Sequence, residues 1–151
     1  MPDVVIADTS CLIAMEKLDA FHLLKLLYGE VKITSEIAAE FGKSLPEWFK
    51  IEKSTNKKFQ KIIETLIDKG EASAIALALN YDNSLLILDD LKGRKFAVKL
   101  GLKITGTLGI LYKCKQVGII EKIKPFTDKL INSGFRLPEK VVAEILHLCC
   151  E

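Results

Sequence analysis

At 151 residues, with 49% hydrophobic and 28% charged side chains, the chain is long enough for one real core and reads as a globular, soluble domain. Its apolar stretches are broken by charge well short of the roughly 18 residues a membrane span needs, and Met-Pro-Asp is no secretory leader, so a cytoplasmic address is expected. The net charge of +2 hides an asymmetry: residues 1–91 carry 10 basic and 15 acidic side chains, a balance of −5, whereas residues 92–151 carry 12 and 5, a balance of +7.

In chain order, "VVIA" (4–7) predicts a strand, and 10–27 a helix with apolar positions at helical spacing. "VKIT" (31–34) predicts a second strand, followed by a short helix over 35–41. "GKSLPEW" interrupts the pattern at Gly42 and Pro46, and a charged helix is expected over 56–68. After Gly70, "EASAIALALNY" predicts a small-residue helix suited to close packing. "SLLILDD" is a near-continuous apolar run of the kind a central parallel strand shows. A basic helix to Leu100, a short strand in "GLKITG", and helices near 107–117, 121–133 and 138–150 complete the chain. Strands alternating with helices predict an α/β sandwich around a parallel sheet, formed as one domain over 1–151 with the closing helix packed on it. In that helix Val141, Val142, Ile145, Leu146 and Cys149 are close to helical spacing, which favours packing on the core over binding a partner.

In parallel α/β folds ligands sit beyond the carboxyl ends of the strands. Asp8, Asp89 and Asp90 are the first acidic residues after their apolar runs, so all three are expected there. Asp8 has two readings. With Thr9 and Ser10 it is a residue type that caps a helix N-terminus, but a carboxylate at the end of a buried strand is also costly unless it is paired or bound to a cation. Glu40, opposite Ile37 on its helix, and Glu71, just after Gly70, extend the set; taken singly, the first reads as a surface acid and the second as a complement to a helix dipole.

Carboxylates that converge repel one another, and a divalent cation relieves that repulsion. An all-oxygen donor set points to Mg²⁺ or Mn²⁺, which could activate water for attack on a phosphodiester. The cysteines Cys11, Cys114, Cys149 and Cys150 include no C-x-x-C pair, and His22 and His147 lie at no zinc-like spacing from them, so buried reduced thiols are expected. The helix starts at Thr9-Ser10 and Gly106-Thr107 would offer N–H groups and hydroxyls to phosphate oxygens. The basic residues from Lys92 onward, including Lys95 and Lys99, suit either a solvated face or a polyanion path. No G-x-x-x-x-G-K-[ST] is present, which argues against an NTPase.

The segments "ADTSCLI", "SEIAAEF", "GEASAIALA", "LLILDDLKGRKFA" and "GLKITGTLGILYKCKQVGII", followed by "GFRLP", resemble in this order the PIN-domain family, and within it a VapC-like branch. The resemblance implies a three-layer α/β/α sandwich with a parallel sheet of four or five strands and metal-dependent cleavage of single-stranded RNA. It matches Asp8, Glu40 and Glu71 to three metal acids and either Asp89 or Asp90 to the last. The wider family usually has Asp where Glu71 stands. Arg94 is either a substrate contact or the ion-pair partner of the Asp89-Asp90 pair. A homodimer is implied, for which the helices at 10–27 and 56–68 would supply apolar contacts, together with a toxin role opposite a cognate antitoxin. The rival reading is a PIN-like RNA- or protein-binding module without useful turnover.

Overall fold

The computed structural model describes all residues, Met1–Glu151. Five strands form one sheet in the order β3-β2-β1-β4-β5: β1 (Val4–Ala7), β2 (Val31–Ile33), β3 (Phe49–Ile51), β4 (Ser84–Ile87) and β5 (Lys103–Thr105). Every neighbouring pair is parallel. Nine helices connect and flank them: α1 (Thr9–Lys17), α2 (Phe21–Tyr28), α3 (Ser35–Phe41), α4 (Lys57–Ile63), α5 (Lys69–Ala78), α6 (Leu91–Lys99), α7 (Thr107–Gln116), α8 (Lys124–Asn132) and α9 (Glu139–Leu148). The result is the expected parallel sheet between helical layers, built on a core cluster of 32 buried residues. No helix is long and apolar enough to cross a membrane.

The register decides where the chain's polar residues emerge. Ala7 pairs with Ile87, Ile87 with Thr105, and Ile33 with Ile51, so the strands finish nearly level. Residues that follow them, Asp8, Thr34, Asp89 and Gly106, are therefore delivered to a single edge of the sheet. The connections run from β1 toward β2 and β3 on one side and into β4 and β5 on the other. That reversal opens a crevice beside β1, the usual ligand position in such sheets.

Helix α5 threads this arrangement because its side chains are small. Residues 70–78 are all buried; Ala72, Ala74, Ala76 and Ala78, at 0% exposure, let neighbouring elements approach closely, while Ile75 and Leu77 fill the core between them. Ser73 within it is satisfied by Thr34 Oγ1 at 2.6 Å and by the carbonyl of Gly70 at 2.7 Å.

Four expectations need correction. The helix predicted over 10–27 is two helices, broken where Asp19 adopts φ 51; the apolar spacing runs through the break, and Asp tolerates a left-handed turn better than most residues. The fifth strand, β3, carried no alternation signal because only Phe49 of its three residues is buried. Phe49 stacks on Trp48 with ring centroids 4.3 Å apart and meets Phe21 edge-on at 5.6 Å, while Lys32 holds Glu52, just past the strand, at 3.0 Å. The charged helix predicted to 68 ends at Ile63, because Asp68 starts a new helix. Cys11 and Cys114 are buried and reduced as expected, but Cys149 is half-buried and Cys150 exposed.

Helix α9 packs on the core through Ile145 and Leu146, joined by Cys149 just past its end; Val142 is buried as well, and Val141 is turned outward. Its last turn returns Glu151 to the body, where the carboxylate accepts from the N–H groups of Ile123 and Lys124 and pairs with Lys115 at 2.8 Å.

A candidate carboxylate centre

Asp8 occupies the N-cap position of α1, yet its side chain makes no capping hydrogen bond. Elsewhere in the chain such side chains do cap: Thr34 accepts from Ile37 N, Asn56 from Phe59 N, Asp68 from Glu71 N and Asp90 from Gly93 N. Asp8 is nevertheless only 3% exposed. Burial pushes its carboxyl from 3.8 up to about 7; the Thr9 N–H offsets part of this, and the charges of Asp68, Glu40 and Asp89 raise it further. A cap would lower that value, so cap formation is not what holds Asp8 at this edge.

Glu71, in the first turn of α5, is 6% exposed. Burial raises its carboxyl to about 9, reinforced by a hydrogen bond with Asp68 and by the charges of Asp68, Asp90 and Asp8. Three glycines make room for the acids. A Cβ on Gly93 would stand 2.6 Å from Glu71 Oε2, one on Gly70 would stand 2.7 Å from Glu40 Oε2, and one on Gly106 would stand 2.7 Å from Asp89 Oδ1. Three carboxylates on three elements thus lie directly against bare backbone, a packing that a single methyl group would disturb. Asp89 is also oriented from above: Thr107 donates its N–H to Oδ1 at 2.7 Å and its hydroxyl to Oδ2 at 2.6 Å.

The predicted acids Asp8, Glu40, Glu71, Asp89 and Asp90 therefore share one edge, and the adjacent pair divides its work. Asp89 is held by α7, whereas Asp90 caps α6 at 3.1 Å from Gly93 N. Two expectations change. Arg94 has no carboxylate within ion-pair distance; its Nη1 donates at 2.9 Å to the carbonyl of Leu88, which lies just past the end of β4. Thr107 spends both donors on Asp89, so it positions an acid where a phosphate contact was expected. Thr9 Oγ1 is buried without any partner, beside Asp8, and Ser10 is half-buried.

Asp68 was missed. In "IDKGEA" it stands three residues before Glu71, a cap-like spacing that could have flagged it, but only the fold brings its charge against both Asp8 and Glu71.

The donor set fits a hard divalent cation in its chemistry: oxygen only, with glycine-backed carboxylates and acids whose ionisation is suppressed by burial and by one another's charge. As the side chains stand, no three of them close into a group that would hold an ion.

A family model described as PIN domain (DUF3368) matches residues 4–151, nearly the whole chain. None of the curated proteins matches it.

Proposed function

The chain belongs to the PIN-domain family, and from that premise we propose that it is a Mg²⁺- or Mn²⁺-dependent endoribonuclease acting on single-stranded RNA. Family membership supports a general role on RNA or nucleic acid and is consistent with hydrolase chemistry. The observation that carries the finer reading is the pair Asp8 and Glu71. Two buried carboxyls raised to about 7 and about 9 by burial and by other acids form a centre that is unfavourable until positive charge reaches it.

Asp8, Glu71 and Asp89 would hold the cation, with Glu40 and Asp68 adding negative charge at its margin. When bound, a divalent cation acidifies water and offsets charge building on the phosphodiester oxygens. Thr107 keeps both oxygens of Asp89 in one orientation, so little is lost to side-chain ordering when the centre fills. Asp90, committed to capping α6, supports the centre through its charge on Glu71. The unpartnered hydroxyl of Thr9 would donate to a phosphate oxygen, and the half-buried Ser10 and the buried Gly106 backbone border the same edge. Lys92, Lys95 and Lys99, exposed on α6, would steer the polyanion.

The likeness to VapC-like proteins extends the proposal to a homodimer and to a toxin role with a cognate antitoxin. Leu26 on α2 and Ile62 on α4, each 63% exposed, would supply apolar contact for a partner. A second reading, a binding module without turnover, is favoured by one observation, the failure of any three acids to converge on a single point.

The test is a gel assay on several single-stranded RNAs with Mg²⁺, Mn²⁺ or EDTA, with circular dichroism of every variant. Cleavage should need the cation and be abolished in Asp8→Asn and Glu71→Gln, and Asp89→Asn should cost more than Asp90→Asn. Cleavage that persists in EDTA or in Asp8→Asn refutes the mechanism, and a folded, cation-loaded wild type that cuts no RNA leaves the binding module.

A further inference from the structure

Strand β4 stops at Ile87, two residues short of Asp89. Its last partner in the sheet is Thr105, whose carbonyl also accepts the Leu88 N–H at 2.8 Å. Beyond that bond the backbone has lost the support of the ladder. No main-chain N–H reaches the carbonyl of Leu88 or of Asp89, and the N–H groups of Asp89 and Asp90 find no main-chain carbonyl.

One side chain stands in for the missing strand partner. Arg94, half-buried on α6, donates from Nη1 to the Leu88 carbonyl at 2.9 Å, and its own N–H donates to the Asp90 carbonyl at 2.9 Å. Asp90 completes the latch by accepting from Gly93 N at 3.1 Å. The turn that carries both acids is thereby tied at each end to the first turn of α6.

Arg94 also lies beside Asp89 without pairing with it. The space that a Gly106 side chain would fill is 2.8 Å from Arg94 Nη1 and 2.7 Å from Asp89 Oδ1, yet the guanidinium bonds the Leu88 carbonyl and not the carboxylate. Each Asp89 oxygen accepts one bond from Thr107 and keeps a second lone pair. A guanidinium bound fork-on would take those lone pairs, whereas one anchored on Leu88 leaves them for a cation.

We infer that Arg94 is a positioning residue of the cation centre: by holding the Leu88 carbonyl it fixes the backbone from which Asp89 reaches Thr107 and the cation. The inference rests on the cation-dependent ribonuclease reading and extends it, assigning this arginine to the metal and not to the RNA. Groups that orient a ligand from behind typically change metal affinity by about tenfold to a hundredfold when removed. The charge of Arg94 gives the test its sign. A positive group this near a cation repels it, so deleting a group that acted by charge alone would tighten the site. Deleting one that positions Asp89 loosens it.

The experiment is a Mn²⁺ titration of the full chain, read by electron paramagnetic resonance of the free ion, with circular dichroism of every variant. Arg94→Met should weaken Mn²⁺ binding about tenfold or more, and Arg94→Gln, a second neutral variant suited to a half-exposed helix position, should do the same. Arg94→Lys keeps the charge and a donor for the Leu88 carbonyl, so it should recover most of the affinity. In EDTA, a labelled oligoadenylate should bind Arg94→Met with the wild-type salt slope, because no phosphate contact is lost. Neutral variants that bind Mn²⁺ as tightly as wild type, or more tightly, overturn the positioning role and leave the ribonuclease reading standing. A salt slope smaller by about 0.7 overturns it as well, by placing the arginine on a phosphate. A wild type that binds no Mn²⁺ overturns the cation reading and this inference together.

Discussion

Removing the Asp8 charge should stabilise the cation-free protein, and by an amount that grows with pH. In the unfolded chain Asp8 titrates near 3.8, in the folded chain at about 7. Between those values the native state keeps a proton that the unfolded chain has released, so wild-type stability falls as pH rises and levels off above the folded value. At about 1.4 kcal/mol per pH unit, the loss is at most about 4 kcal/mol, of which roughly 3 kcal/mol falls between about pH 5 and pH 8. Glu71 acts with the same sign over a window reaching about 9, and it is present in both proteins. Asp8→Asn removes the Asp8 share and also the part of the Glu71 shift that the Asp8 charge causes, so the variant should melt higher than wild type at about pH 8 by roughly 8–16 °C, with a smaller gap at about pH 5. The assay is thermal or urea unfolding in EDTA across that range. Added Mn²⁺ at a hundred times its Kd should then return about 2.7 kcal/mol to the wild type and nothing to the variant. Parallel pH profiles for the two proteins would refute the buried, charge-crowded account of Asp8, and a wild type indifferent to Mn²⁺ would refute its use as a ligand.

Gly93→Ala should push Glu71 from its seat, since the new methyl would meet Oε2 at 2.6 Å and Leu88 Cδ2 at 3.2 Å; far-ultraviolet circular dichroism should be retained while the Mn²⁺-induced shift in melting is lost. Thr107→Val deletes the 2.6 Å hydroxyl bond to Asp89 and should cost about 1.5–3 kcal/mol in urea unfolding, as for a hydrogen bond to a charged group. Cys150 holds φ 58 in the turn that ends α9, with Glu151 N bonded to Leu146 O at 2.7 Å, a position where glycine is unstrained. Cys150→Gly should therefore raise stability by about 1 kcal/mol, and a loss of stability there would mean that the thiol contributes a contact.

Much of the molecule is legible in the chain because burial leaves a local trace. The apolar runs at 4–7 and 84–88 read as strands buried on both faces, and the acids that stop them mark the edge where a parallel sheet ends. The small residues of α5 announce close packing before any coordinate is known. What escaped has little local signal. β3 buries one side chain and depends on pairing with β2, and the break at Asp19 lies inside an unbroken apolar spacing. The roles within the site are tertiary as well. Thr107 lies 18 residues from Asp89, and Gly70 touches Glu40 across two helices, so no spacing rule would join them. Asp8 and Asp68 have the same local character, a carboxylate just before a helix, yet one caps and the other does not. Sequence could place Asp8, Asp89 and Asp90 on the strand ends; only the level register of five parallel strands, which brings distant carboxylates to one edge and buries Asp8 and Glu71 among them, could decide which of them repel and which are already satisfied.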